Sequence, residues 1–184
     1  MSTIKVMGFD PSFRNFGMAK GSLDIKSGLF SLDELSLSET APSAKKKVVR
    51  QNSVDLIDAK YQYDALMDFA DDVQMVFVEI PVGSQSANGM KGYGICIGIL
   101  AALNKPLIQV TPTEVKMVTG HKNASKAQMI KWASETYPDA PWLTQKRKGQ
   151  IALVSKNEHL ADAIAAIHAG TLTDQFNQLK ALMI

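Results

Sequence analysis

Several carboxylates and one histidine stand where side chains from distant parts of a chain can meet. Asp10 follows a short run with strand-like alternation, and Glu79 ends an apolar run of strand length. Further along, one predicted helix contains Glu158, His159 and Asp162. Their spacings place both Glu158 and His159 on the same helical face as Asp162. Gathered carboxylates repel one another unless a hard cation such as Mg²⁺ or Mn²⁺ neutralises them. Two such ions on one phosphate would support phosphodiester hydrolysis.

Each of these residues also has an ordinary structural interpretation. Asp10 precedes a proline and could belong to a turn, Glu79 could lie on the surface, and Glu158 could be a first-turn acid favoured by the helix dipole. His159, taken alone, is more typical of a hydrogen-bonded packing residue. Asp162 is harder to explain in this way, because its sequence neighbours are apolar and an unpaired buried acid is costly.

The strands that must position these residues follow from the apolar pattern. Three short strands, predicted over Thr3–Phe9, Phe16–Leu23 and Phe30–Leu37, indicate an antiparallel meander. Apolar runs at Met75–Pro81 and Lys105–Val110, separated by a helix, predict parallel strands that are covered on both faces. The two acids at strand ends share one cleft if their strands are neighbours.

Helices are predicted between and after these strands. The first long helix, Arg50–Ala70, has an apolar stripe that we expect to be buried. The stripe consists of Val54, Ile57, Tyr61, Ala65 and Phe69. Thr111 and Ser125 are the predicted N-caps of two further helices, and Asn157 is the predicted N-cap of the final core helix. Pro138–Gln150 is predicted to be a loop.

Length and composition are those of a globular domain. The chain has 184 residues, 46% apolar and 21% charged, and we expect residues 1–184 to form a single domain. The net charge of +2 decides little, but Glu114–Gly149 holds seven basic residues against three acidic ones and predicts a basic face. Cys96 is the only cysteine, which excludes a disulfide framework. It lies in an apolar run, which indicates that its side chain packs in the core. We see no signal peptide, and no apolar run approaches the roughly 18 residues that span a membrane, so a cytoplasmic protein is expected.

Four segments form motifs when they are taken together. They are Gly8-Phe9-Asp10-Pro11-Ser12 with Gly17, Val78-Glu79, the basic segment Thr111–Gln128, and Leu160–Ala165. In this order they resemble the motifs of RuvC-type Holliday-junction resolvases, and the basic segment is the most specific match. The resemblance extends from Ile4 to about Gly170 and indicates a divergent or phage-type member.

The resemblance implies a fold and a metal site. The fold would be α/β, with an RNase H-like mixed sheet (an antiparallel meander plus parallel strands) flanked by helices. Asp10, Glu79 and Asp162 match the acids that bind Mg²⁺ or Mn²⁺, with two ions in each active site. The fourth ligand of the family lies three residues before the last acid, which is His159 here; Glu158 is the alternative. A neutral imidazole would favour Mn²⁺.

The resemblance also implies a DNA-binding surface. Lys116 and Lys126 of the basic segment match residues that contact DNA near the scissile phosphate. We expect Lys122 and the later run from Lys146 to Lys148 to extend this DNA-binding footprint. The expected DNA-binding residues are Lys116, Lys122, Lys126, Lys146, Arg147 and Lys148. Binding through such residues weakens steeply with salt.

One position departs from the family pattern. Many resolvases carry an aromatic residue three positions after the second acid, where this chain has Val82. Stacking on junction bases is then lost or passes to another side chain such as Tyr93, so strict selectivity for four-way junctions is in question. The family usually works as a two-fold dimer. Gly94 and Gly98 make the helix Tyr93–Leu103 a candidate interface, although the same pattern suits core packing.

The predicted function is a metal-dependent, structure-selective endonuclease that resolves Holliday junctions in DNA recombination and repair, in a prokaryotic or phage-infected cell. It would need no organic cofactor. The alternatives are a broader flap or fork nuclease, a junction-binding protein with little catalysis, and an actin- or sugar-kinase-like ATPase. The last of these requires further glycine-rich phosphate loops and usually two domains, for which the chain is too short.

Overall fold

A mixed five-stranded sheet carries the ends of the first and fourth strands to the same edge. The computed structural model describes residues 3–40, 50–80, 82–147 and 149–183. The elements are β1 (Thr3–Ser12), β2 (Asn15–Asp24), β3 (Phe30–Glu39), α1 (Gln51–Phe69), β4 (Met75–Glu79), α2 (Ala87–Ala102), β5 (Leu107–Val110), α3 (Pro112–Met117), α4 (Lys126–Thr136), β6 (Thr144–Arg147), β7 (Gln150–Leu153), α5 (Asn157–Gly170) and α6 (Asp174–Met183). Within the described ranges, no helix is long and apolar enough to cross a membrane.

The strand order is β3-β2-β1-β4-β5. Strands β1, β2 and β3 pair antiparallel, whereas β4 pairs parallel with both β1 and β5. The predicted combination of a meander with parallel strands is therefore confirmed. Phe9 stands opposite Val78 in the β1–β4 register, so the next residue of each strand, Asp10 and Glu79, emerges at the same edge of the sheet.

Strand β1 is longer than predicted. It continues to Ser12 because it stays paired with β2, where Ser12 stands opposite Asn15. Pairing with β4 stops at Phe9, so Pro11 lies on a stretch with a neighbouring strand on one side only. A proline is tolerated at such an edge position, since no ladder bond to a second neighbour is lost.

Alternate side chains of the sheet enter two separate cores. Val6 of β1 packs with α5, whereas Met7 packs in the second cluster with α1 and α2. Cys96 is fully buried in this second core, and burial raises the pKa of its thiol to about 12. The predicted packing role of this cysteine is confirmed.

Helix α1 is turned away from the predicted orientation. Ile57 is 69% exposed and Tyr61 is 54% exposed, whereas Asp55 and Gln62 are buried. Phe69 is the one residue of the predicted stripe that is buried. The buried polar residues have partners that apolar periodicity cannot reveal: Asp55 pairs with two cations, and Gln62 donates to two backbone carbonyl groups.

A short hairpin replaces the loop that was predicted over Pro138–Gln150. Strands β6 and β7 pair antiparallel from Thr144 opposite Leu153, and the turn contains Gly149 with φ of 81°. The sequence of β6 is polar and exposed throughout, so it gives no alternating apolar signal.

Asn157 has a different role from the predicted helix cap. Its buried side-chain amide accepts a hydrogen bond from the Leu143 N–H at 3.0 Å and donates to the Leu143 carbonyl at 2.8 Å. Lys156 occupies the N-cap position without a side-chain cap bond. Asn157 therefore fastens the segment before the hairpin to the start of α5. Thr111 and Ser125 are the N-caps that were predicted, and each of them forms a capping box.

Candidate functional site

Two glycines let α5 lie directly against the sheet. A Cβ atom on Gly8 would stand 1.8 Å from the Ala163 carbonyl oxygen, and one on Gly17 would stand 2.1 Å from the His159 carbonyl oxygen. Any other residue at these positions would push the helix away. The absence of side chains here is what places the first turns of α5 beside the end of β1.

The close packing brings distant residues into contact. His159 Nδ1 lies 2.6 Å from Asp10 Oδ2, although the two residues are 149 positions apart in the chain. A cleft of about 210 Å³ is lined by Asp10, Glu79, Tyr93, Lys126, Glu158, His159 and Asp162, together with Pro11 and Ser12. All four sequence-predicted ligands therefore line one cleft, as does the alternative, Glu158.

Burial and mutual repulsion raise the pKa values of two acids in the cleft. Burial, followed by the charge of Asp10, raises the pKa of Glu79 to about 7. Burial, followed by the charges of Asp10, Glu79 and Glu158, raises the pKa of Asp162 to about 8. Burial alone would lower the pKa of His159, but its hydrogen bond to Asp10 and the surrounding negative charge raise it. The cleft thus concentrates negative charge that a cation would stabilise.

Glu158 is held differently from the other acids. Its Oε1 lies 2.6 Å from Lys126 Nζ and 3.7 Å from His159 Nε2. Among the described residues, Oε2 of Glu158 is buried without a hydrogen-bond partner. One oxygen of Glu158 is therefore committed to a lysine that the sequence motif links to DNA binding. Sequence spacing did not reveal this pair, because Lys126 and Glu158 lie on separate helices, 32 residues apart.

The side chains that line the cleft are of the types that bind hard divalent cations. Carboxylate oxygens with one imidazole are ligands that Mg²⁺ and Mn²⁺ accept, and the buried Glu158 oxygen lacks a partner. In the part of the chain that the structure describes, no group of three or more His, Cys, Asp or Glu side chains is arranged to hold a metal ion as it stands. In this arrangement, Nδ1 of His159 and Oδ2 of Asp10 contact each other directly.

The predicted DNA-binding residues divide into those beside the cleft and those further away. Lys116 and Lys126 line an adjoining cavity of about 470 Å³ that also contains Glu79 and Asp162. Lys122 is exposed between α3 and α4 and lines neither space.

The basic run after α4 lies on the hairpin. Lys146 and Arg147 are exposed on β6, and Arg147 lines a groove of about 650 Å³ with Lys126 and Lys131. Lys148 lies outside the described residues. The sequence did not single out Lys131 as a site residue, although it counted toward the basic surplus of this segment.

Val82 is 84% exposed beyond the end of β4. Its aliphatic side chain occupies the position at which the family pattern has an aromatic residue in many members. Tyr93, the substitute considered from the sequence, lines the cleft.

Comparisons with known proteins bear on the fold. No family model matches the sequence, and no curated protein matches it. Among solved structures, RuvC from Thermus thermophilus in complex with a Holliday junction substrate aligns with a TM-score of 0.59 and 17% identity, over 90% of this chain and 92% of that chain. Another structure of Thermus thermophilus RuvC aligns with a TM-score of 0.60 and 17% identity, over 91% of this chain and 94% of that chain.

A fowlpox virus resolvase bound to Holliday junction DNA aligns more weakly, with a TM-score of 0.45 and 17% identity over 95% of this chain and 98% of that chain. The two RuvC alignments show that the chain has the RuvC fold. The RNase H-like mixed sheet that the motifs implied is confirmed, and so is the likeness to RuvC at the level of the fold.

Proposed function

We propose that the protein is a metal-dependent endonuclease that cuts branched DNA and resolves Holliday junctions in recombination and repair. One observation carries the proposal: Asp10, Glu79, His159 and Asp162 converge on a single cleft of a RuvC fold. They come from two strand ends and one helix, so their meeting depends on the whole architecture. Several buried carboxylates in one cleft are costly unless a cation or bound protons neutralise them.

The substrate is proposed from the fold and from the charges around the cleft. One of the similar structures is a RuvC solved with a Holliday junction substrate. In this chain, Lys116 and Lys126 line the space next to the acids, and Lys131 and Arg147 continue the basic surface along a groove. Phosphates of a DNA strand would meet cations at each step along that path.

The four cleft side chains would hold two Mg²⁺ or Mn²⁺ ions. Such ions, when bound, supply a water activated for attack and stabilisation of the leaving 3′-oxygen. The carboxylates of Asp10, Glu79 and Asp162 contribute oxygen ligands, and His159 contributes a ring nitrogen as the fourth ligand. Burial of the cleft keeps bulk water from competing for these groups.

Glu158 is proposed to position Lys126 rather than to bind metal. Its carboxylate pairs with Lys126 Nζ at 2.6 Å, whereas the Lys126 side chain is otherwise 78% exposed. An exposed lysine loses much conformational freedom when it contacts a phosphate. Fixing it in advance reduces that loss, so Glu158 aims the cation at the DNA.

We also propose a two-fold dimer, which would cut two strands symmetrically in the cytoplasm of a prokaryotic or phage-infected cell. Support comes from the outer face of α2. A Cβ atom on Gly94 or Gly98 would meet nothing within 4 Å, and Ile97 and Met90 are 49% and 51% exposed. Within the described chain, both glycine positions therefore leave room for the close approach of another molecule.

A broader nuclease for flaps and forks is the second candidate. It is favoured by Val82, whose exposed aliphatic side chain cannot stack on bases at the junction centre. The same cleft and the same chemistry would then act on a wider range of branched DNA.

The test is a substrate panel. The protein is incubated with labelled four-way junction, flap and linear duplex, with Mg²⁺ or Mn²⁺, beside the Asp10→Asn variant. We expect paired, symmetric nicks in the junction that require the metal and disappear in Asp10→Asn. Equal cutting of the flap would establish the broader nuclease, and intact DNA with tight junction binding would leave only a binding protein.

A further inference from the structure

A second pocket adjoins the catalytic cleft on the side away from the basic groove. It has a volume of about 430 Å³ and lies between the β1–β2 turn, the start of α1 and the start of α2. The size falls in the range of about 300–1,000 Å³ that is typical of ligand pockets. Ser12 and Tyr93 line both the pocket and the cleft. A group held in the pocket would therefore lie directly beside the reacting phosphate.

The cations of the pocket are already neutralised. Arg14 forms an ion pair with Asp58 and lies 3.6 Å from Asp55, and Lys91 Nζ lies 2.5 Å from Asp55 Oδ2. The side chain of Asp55 is only 7% exposed, and these partners lower its pKa although burial opposes them. With two cations balanced by two carboxylates, the pocket has little attraction for a phosphate group.

The remaining chemistry of the pocket suits a flat, neutral ligand. The rings of Phe13 and Tyr93 line it, and the Arg14 guanidinium lies 5.2 Å from the centre of the Phe13 ring. The exposed amide side chains of Gln51 and Asn88 stand at its rim, and Nε2 of Gln51 donates to Asp55 Oδ1 at 2.9 Å. Aromatic rings with a guanidinium and amide groups are the surfaces on which unpaired nucleobases stack and form edge hydrogen bonds.

We propose that this pocket holds one unpaired base of the branched DNA, next to the phosphate that is cut, with Tyr93 and Phe13 as its stacking surface. The proposal rests on the proposed nuclease function and gives that function a means to recognise a branch point. A base can leave the stack at low cost only where pairing is already interrupted. The pocket would therefore do what the exposed Val82 side chain cannot.

Photocrosslinking tests the contact directly. A four-way junction is built with 5-iodouracil at each position flanking the branch in turn, bound to the protein in Ca²⁺, irradiated, and mapped by mass spectrometry of the crosslinked peptide. We expect one position beside the branch to crosslink to Tyr93 or Phe13. Crosslinks confined to other parts of a tightly bound protein would overturn the base pocket.

Variants test its energetic weight. Tyr93→Leu and Phe13→Leu should each weaken junction binding about 10-fold, the effect of losing one stacked base, without changing duplex binding. Tyr93→Trp should retain junction affinity, which would show that binding requires an aromatic ring at this position. Tyr63→Leu, at a 38% exposed tyrosine of α1, is the matched control and should change neither affinity.

The two proposals fail in different ways. Unchanged junction affinity in both leucine variants, or equal losses for junction and duplex, would overturn the base pocket while the nuclease function stands. A wild-type protein that binds no branched DNA would overturn both.

Discussion

Asp162 is the residue whose environment is most at odds with its charge. It lies on α5 among buried neighbours, and burial and three surrounding carboxylates raise its pKa to about 8. Burial, followed by the charge of Asp10, raises the pKa of Glu79 beside it to about 7. In the absence of a cation, burial therefore favours the protonated forms of both carboxyl groups near neutral pH. The stability of the metal-free protein should therefore depend on pH.

The sign of that dependence follows from the direction of the shifts. Unfolded acids titrate near pH 4, so between about pH 4 and pH 8 the folded protein holds protons that the unfolded chain releases, and its stability falls as pH rises. His159, whose pKa is also raised, adds to the fall once the pH passes the unfolded value for histidine. Urea unfolding in EDTA from pH 5 to pH 9 should show this decline.

Asp162→Asn isolates the contribution of one group. The variant should be more stable than wild type at pH 9 by on the order of 2 kcal/mol, and the difference should shrink toward pH 5. Mn²⁺ should restore wild-type stability at high pH and have less effect on the variant. A stability difference that stays constant with pH would contradict the repulsion that we assign to this cleft.

Neighbouring residues on α5 have separable roles. His159 contacts Asp10, whereas Glu158 contacts Lys126. We predict that His159→Ala reduces the cleavage rate at least 100-fold with junction binding retained. Glu158→Ala should have a much smaller effect on the rate and should act mainly on binding, through Lys126. Single-turnover cleavage with separately measured affinity distinguishes them, and the reverse order would make Glu158 the fourth ligand.

At the scale of elements, the site depends on how closely α5 approaches β1 and β2. A Cβ atom on Gly17 would stand 2.1 Å from the His159 carbonyl oxygen, which cannot give way without moving the helix. Gly17→Ala should therefore destabilise the fold by about 1–3 kcal/mol, as overpacking does, and should reduce cleavage by shifting His159 away from Asp10.

Gly94→Ala is the matched control for stability. Among the residues that the structure describes, a Cβ atom there would meet nothing within 4 Å, and the glycine lies inside α2. Alanine should stabilise the isolated chain by up to about 1 kcal/mol. Equal stability of Gly17→Ala and wild type in urea unfolding would show that the close approach of α5 does not constrain the site.

The sequence predicted the strands well because their signals are local, and the same signals marked the proposed ligands that line one cleft. The apolar runs of β1 and β4 end in acids, and α5 places His159 and Asp162 on one face by helical spacing alone. The N-cap signals at Thr111 and Ser125 were equally local.

Other features depend on partners that lie far along the chain. Helix α1 buries Asp55, which pairs with Arg14 and Lys91, residues 41 and 36 positions away, whereas Ile57 of the apolar stripe is exposed. Strand β6 of the β6–β7 hairpin has no apolar alternation that would predict it. Asn157 does not cap a helix but forms two hydrogen bonds with the backbone of Leu143, just before the hairpin. Long-range polar contacts of this kind leave no periodic trace in a sequence.

At the scale of the whole molecule, the cavities form a connected path. The base pocket meets the cleft at Ser12 and Tyr93, and the cleft meets the basic cavity and the hairpin groove at Lys126. Neutral chemistry lies on one side of the acids and cationic chemistry on the other. This polarity would orient a bound strand, with a base on one side and the phosphate backbone continuing on the other.

The proposed dimer is a second property of the whole molecule. Ile97→Asp, on the outer face of α2, should convert the protein from dimer to monomer in sedimentation velocity, and junctions should then receive single nicks rather than paired ones. Ile57→Asp places the same charge on α1, where the isoleucine is 69% exposed, and should leave the dimer intact. A wild-type protein that is monomeric at micromolar concentration, free and on DNA, would contradict the dimer.

We propose that one acidic cleft cuts branched DNA with divalent ions. Single-turnover cleavage of a labelled four-way junction over a titration of Mn²⁺, by wild type and by Asp162→Asn, tests this proposal when junction binding is measured in parallel. We predict symmetric nicks whose rate rises with Mn²⁺ in the wild type, and a loss of at least 100-fold in a variant that still binds. A bound junction that stays intact at every Mn²⁺ concentration, or cleavage that is unchanged in Asp162→Asn, would contradict it.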